Sequence, residues 1–177
     1  MEKIRLARFD AMTRAPYYAQ ALAAMPLIPV STMPFPMGVD RWGRVYYNPA
    51  LIEDIPLSEI TFHLLHEVSH LLRGHDKRRG DRNVLVQVEI PDEIIKKIEE
   101  FLRKKGSRAE PPKKRQIVSL WNIAADLAIN SCLAEILDGA IPPFAVTPER
   151  YGLPPYRSAE EYYDMLLKES NKENNEG

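Results

Sequence analysis

One five-residue segment carries groups that could hold a metal ion and act on a water molecule beside it. Residues 66–70 have the sequence HEVSH, which places two imidazoles four residues apart with a carboxylate between them. On an α-helix, at about 100° per residue, His66 and His70 lie about 40° apart and share one face. Imidazole nitrogens bind zinc, and Glu67 could take a proton from a water that the metal activates. The HExxH pattern therefore predicts a metal centre.

The residues around this motif predict the helix that positions it. Apolar side chains recur at helical spacing between residues 57 and 72, on an arc next to the His-Glu-His face. Pro56 and Gly74 are typical of the two ends of such a helix. The alternative interpretation is a helix that packs by its apolar arc and carries two surface histidines without a metal.

Zinc requires at least one more protein ligand, and two residues could supply it. His75 follows His70 by five residues, just past a glycine whose turn could bring the ring back to the metal. Asp126 lies on a largely apolar predicted helix, in one stripe with Asn122 and Asn130. A carboxylate on a mostly buried helix is costly unless it is paired or binds a metal. We favour Asp126 as third ligand, with His75 either the alternative ligand or close by in the site. An ion pair or a hydrogen bond between helices is the less favoured explanation of the carboxylate.

Several other side chains could assist a reaction at this centre. His63 falls on the metal face about one turn before the motif and could reach substrate, although we favour a solvated or core histidine there. A tyrosine could donate a hydrogen bond to an oxyanion, and the sequence offers four candidates, Tyr46, Tyr47, Tyr151 and Tyr156. The strand predicted at residues 44–47 could align an extended peptide by edge pairing.

Composition narrows the classes of function. The 24 Lys and Arg nearly balance the 25 Asp and Glu, so no global charge favours nucleic acid or a membrane surface. The basic segment from Lys104 to Arg115 has no aromatic residues for base stacking, and we do not expect a nucleic-acid partner. The single cysteine, Cys132, excludes an internal disulfide and a Cys-based zinc cluster. We expect a cytoplasmic protein without a membrane segment or secretory signal.

We predict one domain over residues 1–177, with strands and helices punctuated by prolines and glycines. Residues 84–115 are interpreted as an inserted strand, helix and loop, and residues 168–177 as a disordered tail. The remaining elements are a first helix that breaks near Pro16, a hairpin that ends at Asn48-Pro49, a long helix over about 119–137, and a last helix that opens with a capping box at Ser158.

Two motifs taken together resemble a known family. HEVSHLLRGH followed by WNIAADLAIN is similar to the bacterial metallopeptidase domain found upstream of a von Willebrand factor A-like (VWA-like) domain, in the zincin-like group. GRVYYNP and SAEEYYDMLL extend the resemblance to about residues 6–167. It implies an α+β fold in which a small mixed sheet packs against an HExxH helix and a second, ligand-bearing helix. It also implies His66, His70 and Asp126 as zinc-site residues and Glu67 as the catalytic acid/base.

We therefore predict zinc-dependent hydrolysis of a peptide or protein substrate, with Glu67 as general base toward a metal-activated water. The alternative is a zinc-stabilised, non-catalytic binding or regulatory module that partners a separate VWA-like or AAA-type ATPase protein. Zinc held by both His75 and Asp126 would favour that alternative, because no coordination position would remain for water.

Overall fold

The computed structural model describes residues 2–33, 36–90, 92–104, 110–111, 113–143 and 145–175. Within them the chain forms helices and small sheets, so the predicted α+β class is confirmed. The helices are α1 (Glu2–Arg14), α2 (Ala19–Ala24), α3 (Pro49–Ile52), α4 (Leu57–Arg73), α5 (His75–Arg78), α6 (Asp92–Lys104), α7 (Leu120–Ile136) and α8 (Ala159–Asn175). The strands are β1 (Leu27–Pro29), β2 (Met37–Val39), β3 (Val45–Tyr47), β4 (Leu85–Glu89) and β5 (Arg115–Ser119).

The first sheet is small and mixed, with strand order β1-β3-β2. β3 pairs with β1 in parallel and with β2 in antiparallel orientation, and the second pair is the predicted hairpin. The hairpin turn is held by Asp40, whose Oδ1 accepts hydrogen bonds from the backbone N–H groups of Trp42 and Arg44. Because β3 has a neighbour on both sides, the expectation that residues 44–47 offer a free edge to a peptide is wrong.

One hydrophobic core joins α1, α4 and the first sheet. Ala7 and Ala11 of α1 are fully buried, and such small side chains let two helices approach closely. They pack in one cluster with buried side chains from α4 and β3, namely Ile60, Leu64, Leu65, Val68, Val45 and Tyr47. This core fixes the rotation of α4, so its apolar arc faces inward and its polar face is left for other contacts.

Helix α7 lies between this core and a second one. Ile129 and Leu133 belong to the first core, whereas Ala124 and Leu127 belong to the second, with the buried Tyr162 of α8. A helix that packs on two sides must be apolar around most of its circumference. A buried polar residue on α7 therefore requires a hydrogen-bond partner.

The inserted segment differs in part from its prediction. β4 occurs where a strand is expected, and α6 follows it, but β5 pairs antiparallel with β4 in a second, two-stranded sheet that the sequence interpretation lacks. α6 lies between the two strands in the sequence, so no short turn joins them. The sequence therefore lacks the local turn signal that would predict this hairpin-like pairing. Of the predicted loop at 106–115, residues 106–109 and 112 lie outside the described residues, and residue 115 begins β5.

The last helix is longer than predicted. α8 opens with a reciprocal capping box, in which Ser158 N–H donates to Glu161 Oε2 and Glu161 N–H donates to Ser158 Oγ. Its described part runs through residues 168–175, which the sequence interpretation assigns to a tail, and no Pro or Gly interrupts those positions. Among the described residues, no helix has both the length and the apolar content that crossing a membrane requires.

Candidate metal centre

The HExxH helix has the bounds that its sequence predicts. α4 ends at Gly74, which adopts a left-handed conformation with φ of 62° and donates its N–H to the carbonyl groups of His70 and Leu71. Val68 and Ser69, inside the motif, are buried in the protein, whereas His66, Glu67 and His70 are only partly buried. The packing of α4 therefore presents these three polar side chains together.

The partner of this face is α7, which brings Asp126 to both histidines. Oδ1 of Asp126 lies 3.1 Å from Nε2 of His70 and 3.5 Å from Nε2 of His66. The two Nε2 atoms are 3.0 Å from each other. His66, His70 and Asp126 thus form a group, with one ligand atom from each, that could hold a metal ion.

The spacing of these three atoms fits a metal ion. Ligand atoms about 2.0–2.1 Å from a tetrahedral zinc are separated by roughly 3.3–3.4 Å. The three observed separations, 3.0, 3.1 and 3.5 Å, lie close to that value. Two imidazole nitrogens and one carboxylate oxygen also match the ligand types of zinc hydrolases.

A buried amide sets the proton position on His66. Nδ2 of Asn130 donates to the carbonyl oxygen of Val146 at 2.7 Å, which turns Oδ1 of Asn130 toward His66. Nδ1 of His66 lies 2.9 Å from that oxygen and must carry the proton in order to donate. In the neutral ring, the lone pair of Nε2 is then free for a cation. The sequence interpretation placed Asn130 on the stripe of Asp126 without giving it a role.

His75 contacts the opposite edge of the His70 ring. Nδ1 of His75 lies 3.2 Å from Nδ1 of His70, on the other side of that ring from Nε2. The His75 side chain is buried, and its carbonyl oxygen accepts a 3.0 Å hydrogen bond from Nε1 of Trp121. The glycine turn does bring His75 back to the site, where it touches His70 and not the atoms that face Asp126.

The ionisation states agree with these contacts. Burial raises the pKa of Asp126, but hydrogen bonds with His66 and His70 outweigh it and hold the pKa at about 2. Burial lowers the pKa of His66, yet the hydrogen bond with Asp126 and its charge produce a net increase. Burial, together with the charge of His70, lowers the pKa of His75 to about 4. Near pH 7 the cluster therefore contains an anionic carboxylate and a neutral His75.

The group opens into a cleft of about 670 Å³. Glu67 lines this cleft beside His66 and His70. Burial raises the pKa of Glu67, while the charges of the two histidines oppose the increase. The cleft is large enough for a peptide segment, and its wall includes Val39 at the end of β2.

The remaining sequence candidates lie in different environments. His63 borders a separate small cavity with Met37, and burial and the charge of His66 lower its pKa to about 4. Tyr47 is buried in the first core, whereas the hydroxyl of Tyr46 donates to Asp40. Tyr156 is 62% exposed.

The pKa of Tyr151 responds to the charge of the centre. Its side chain is 38% exposed, in the short 3-10 helix Pro148–Tyr151. Burial raises its pKa, and the negative charge of Asp126 raises it further.

The fold and the cluster define a class of protein, an α+β domain with a group of side chains that could hold a metal ion. The family model described as "Putative metallopeptidase domain" matches residues 2–177, so the chain belongs to that family. The resemblance to a metallopeptidase domain is thereby confirmed. Neither the comparison with curated proteins nor that with solved structures found a match.

Proposed function

We propose that this protein is a zinc-dependent peptidase of the HExxH, zincin-like type, in which His66, His70 and Asp126 hold the metal and Glu67 is the general base. The observation that carries the proposal is the convergence of two Nε2 atoms and one carboxylate oxygen within 3.5 Å of one another. Family membership supports the peptidase class, and the donor set supports zinc.

A zinc ion at this place would lower the pKa of an adjacent water and polarise the scissile carbonyl group. Glu67 then takes the proton of the attacking water and passes it to the nitrogen of the leaving amine. Asn130 keeps the proton of His66 on Nδ1, and His75 contacts the corresponding atom of His70, so both rings keep a fixed orientation. The cleft, with a volume of about 670 Å³, would have room for a peptide segment next to these groups.

The same contacts support a peptidase over a non-catalytic, zinc-stabilised module. Three protein ligands leave a fourth position for water, whereas a fourth protein ligand would fill it. His75 is the residue that could supply that fourth ligand, and its Nδ1 is directed at Nδ1 of His70. A partner with a VWA-like or AAA-type domain stays a proposal. A cytoplasmic location also stays a proposal, and the single cysteine supports it.

The decisive experiment compares the zinc-loaded protein with its Glu67→Gln variant on a mixture of proteome-derived peptides analysed by mass spectrometry. We expect new peptide termini with the natural protein, and a loss of at least about 100-fold with Glu67→Gln. Zinc content, measured by elemental analysis, should be equal in the two proteins. New termini produced equally by both would refute the role of Glu67, and no new termini from the zinc-loaded protein would refute the peptidase proposal.

A further inference from the structure

The walls of the cleft carry cations that have no ion-pair partner among the residues that the structure describes. Arg41, Lys77 and Arg79 line the cleft. Within the described ranges, none of the three forms an ion pair, that is, none has a side-chain nitrogen within 4.0 Å of a carboxylate oxygen. They come from two segments, the turn between β2 and β3 and the short helix α5 with the residue after it.

Neighbouring cations in these same segments are paired. Nη2 of Arg44 lies 2.6 Å from Oδ2 of Asp40, and Nε of Arg78 donates to Oε1 of Glu160 at 2.9 Å. In these two segments, Arg44 and Arg78 are thus paired, whereas the three cations that line the cleft have no ion pair among the described residues.

Arg79 is the most constrained of the cleft cations. Its Nη2 donates to Oδ1 of Asn83, which fixes the guanidinium. Its Nε is buried and has no hydrogen-bond partner among the described residues. A partly desolvated guanidinium with an unused donor costs free energy, and a nearby anion would offset part of this cost. An anionic group bound in the cleft that Arg79 lines would supply this charge.

The acidic groups of the cleft do not cancel these cations. Asp40 is neutralised by Arg44, and Glu67 and Asp126 face the metal centre, whose bound cation would balance them. Asp76 is the remaining carboxylate on the cleft wall, against three cations. The wall beside the centre therefore keeps a net positive charge.

We propose that the cleft selects peptides by a carboxylate close to the scissile bond, with Arg79 and Lys77 as specificity-determining residues and Arg41 as a further contributor. The proposal rests on the proposed peptidase function and specifies its substrate class. The carboxylate has two sources of the same chemistry, an Asp or Glu side chain or the C-terminus of the peptide. Guanidinium groups bind carboxylates through paired, charge-assisted hydrogen bonds.

Binding to the zinc-loaded Glu67→Gln variant tests this selection without turnover. Isothermal titration calorimetry uses a neutral ten-residue peptide with both ends blocked, the same peptide with a free C-terminus, and a scan with one Glu at each position. We expect the best carboxylate peptide to bind about tenfold more tightly than the blocked neutral peptide. The advantage should shrink as NaCl is raised, since salt screens exposed charges. The scan and the free C-terminus distinguish the two sources.

A second comparison assigns the effect to the cleft. Introducing Lys77→Gln and Arg79→Gln together should reduce the tenfold advantage to about twofold or less, with zinc content and circular dichroism unchanged. Arg78→Gln is the matched control, because it removes a charge from the same helix at a residue paired with Glu160. It should leave the advantage intact.

Three results would overturn the carboxylate proposal. The first is equal binding of all the peptides, or no binding of any of them. The second is tighter binding of a peptide in which Lys takes the place of the Glu of the scan. The third is an equal effect of Arg78→Gln and of the double variant. A failure of the peptidase proposal would give a different result. The protein would then cleave no peptide, yet the carboxylate peptides would still bind more tightly than the neutral one.

Discussion

The amide oxygen of Asn130 lies 2.9 Å from Nδ1 of His66, across the contact between α7 and α4. The other end of the amide donates to the carbonyl oxygen of Val146, so the side chain cannot turn over without losing that hydrogen bond. Asn130 thus links the two helices that supply the candidate ligands. It also orients one imidazole through the nitrogen that faces away from the centre.

Replacing this amide should weaken metal binding without removing a ligand. Asn130→Ala is expected to lower zinc affinity by about 10- to 100-fold, because the His66 ring loses the acceptor that fixes its orientation. Asn130→Asp keeps an acceptor for Nδ1 and should retain more of the affinity. Competition with a chromophoric chelator measures both values. The control is Asn122→Ala, which changes an exposed Asn in the same helix. An equal loss of zinc affinity in Asn122→Ala would contradict the role of Asn130.

The third ligand can be assigned by comparing two variants. Asp126→Asn keeps the shape of the side chain and removes its charge, and we expect a loss of zinc affinity of at least about 100-fold. His75→Ala removes only the contact with Nδ1 of His70 and should cost about tenfold. The same chelator competition gives both affinities. A larger loss for His75→Ala than for Asp126→Asn would transfer the ligand role to His75.

Metal binding should stabilise the fold, because the candidate ligands come from two different helices. At a zinc concentration 100 times the dissociation constant, the expected gain is about 2.7 kcal/mol. For a chain of 177 residues this corresponds to an increase in Tm of roughly 5–10 °C. Differential scanning calorimetry with and without a chelator measures the shift. Asp126→Asn should lose most of it, and an identical shift in that variant would argue that zinc binds elsewhere.

The turn that leads from α4 to α5 depends on backbone conformation at Gly74. Its φ is 62°, and a Cβ atom there would meet no other atom within 4 Å, so the effect of a side chain is purely conformational. Gly74→Ala should lower the free energy of unfolding by about 1–2 kcal/mol. Gly74→Asn should cost less, because Asn tolerates the left-handed region. Urea unfolding gives both values, and a Gly74→Ala variant as stable as the natural protein would contradict this reasoning.

Local patterns predicted most of the elements that position the site. The apolar arc and Gly74 predict α4, and the capping box at Ser158 predicts the start of α8. These features depend on interactions within a few residues, which the sequence displays directly. β5 was missed because its partner β4 lies on the far side of α6, so the pairing is not local.

The contacts between helices could not be derived in the same way. The sequence placed Asp126 and His75 as alternative neighbours of the HExxH motif, since both a glycine turn and an apolar helix with one carboxylate are plausible routes to a metal. Asp126 reaches the two Nε2 atoms because α7 packs between two cores, and that packing sets the rotation of the helix. Whether β3 had a free edge was likewise decided by the parallel pairing with β1.

The amino-acid sequence by itself determined which groups share a face of α4 and that a carboxylate lies on α7, because helical periodicity fixes angles along a single helix. Tertiary structure alone decided that Asp126 joins His66 and His70, that Asn130 orients one ring, and that His75 touches the other from behind. The reason is that distances between segments depend on how side chains fill the cores between them, and that packing involves the whole chain at once.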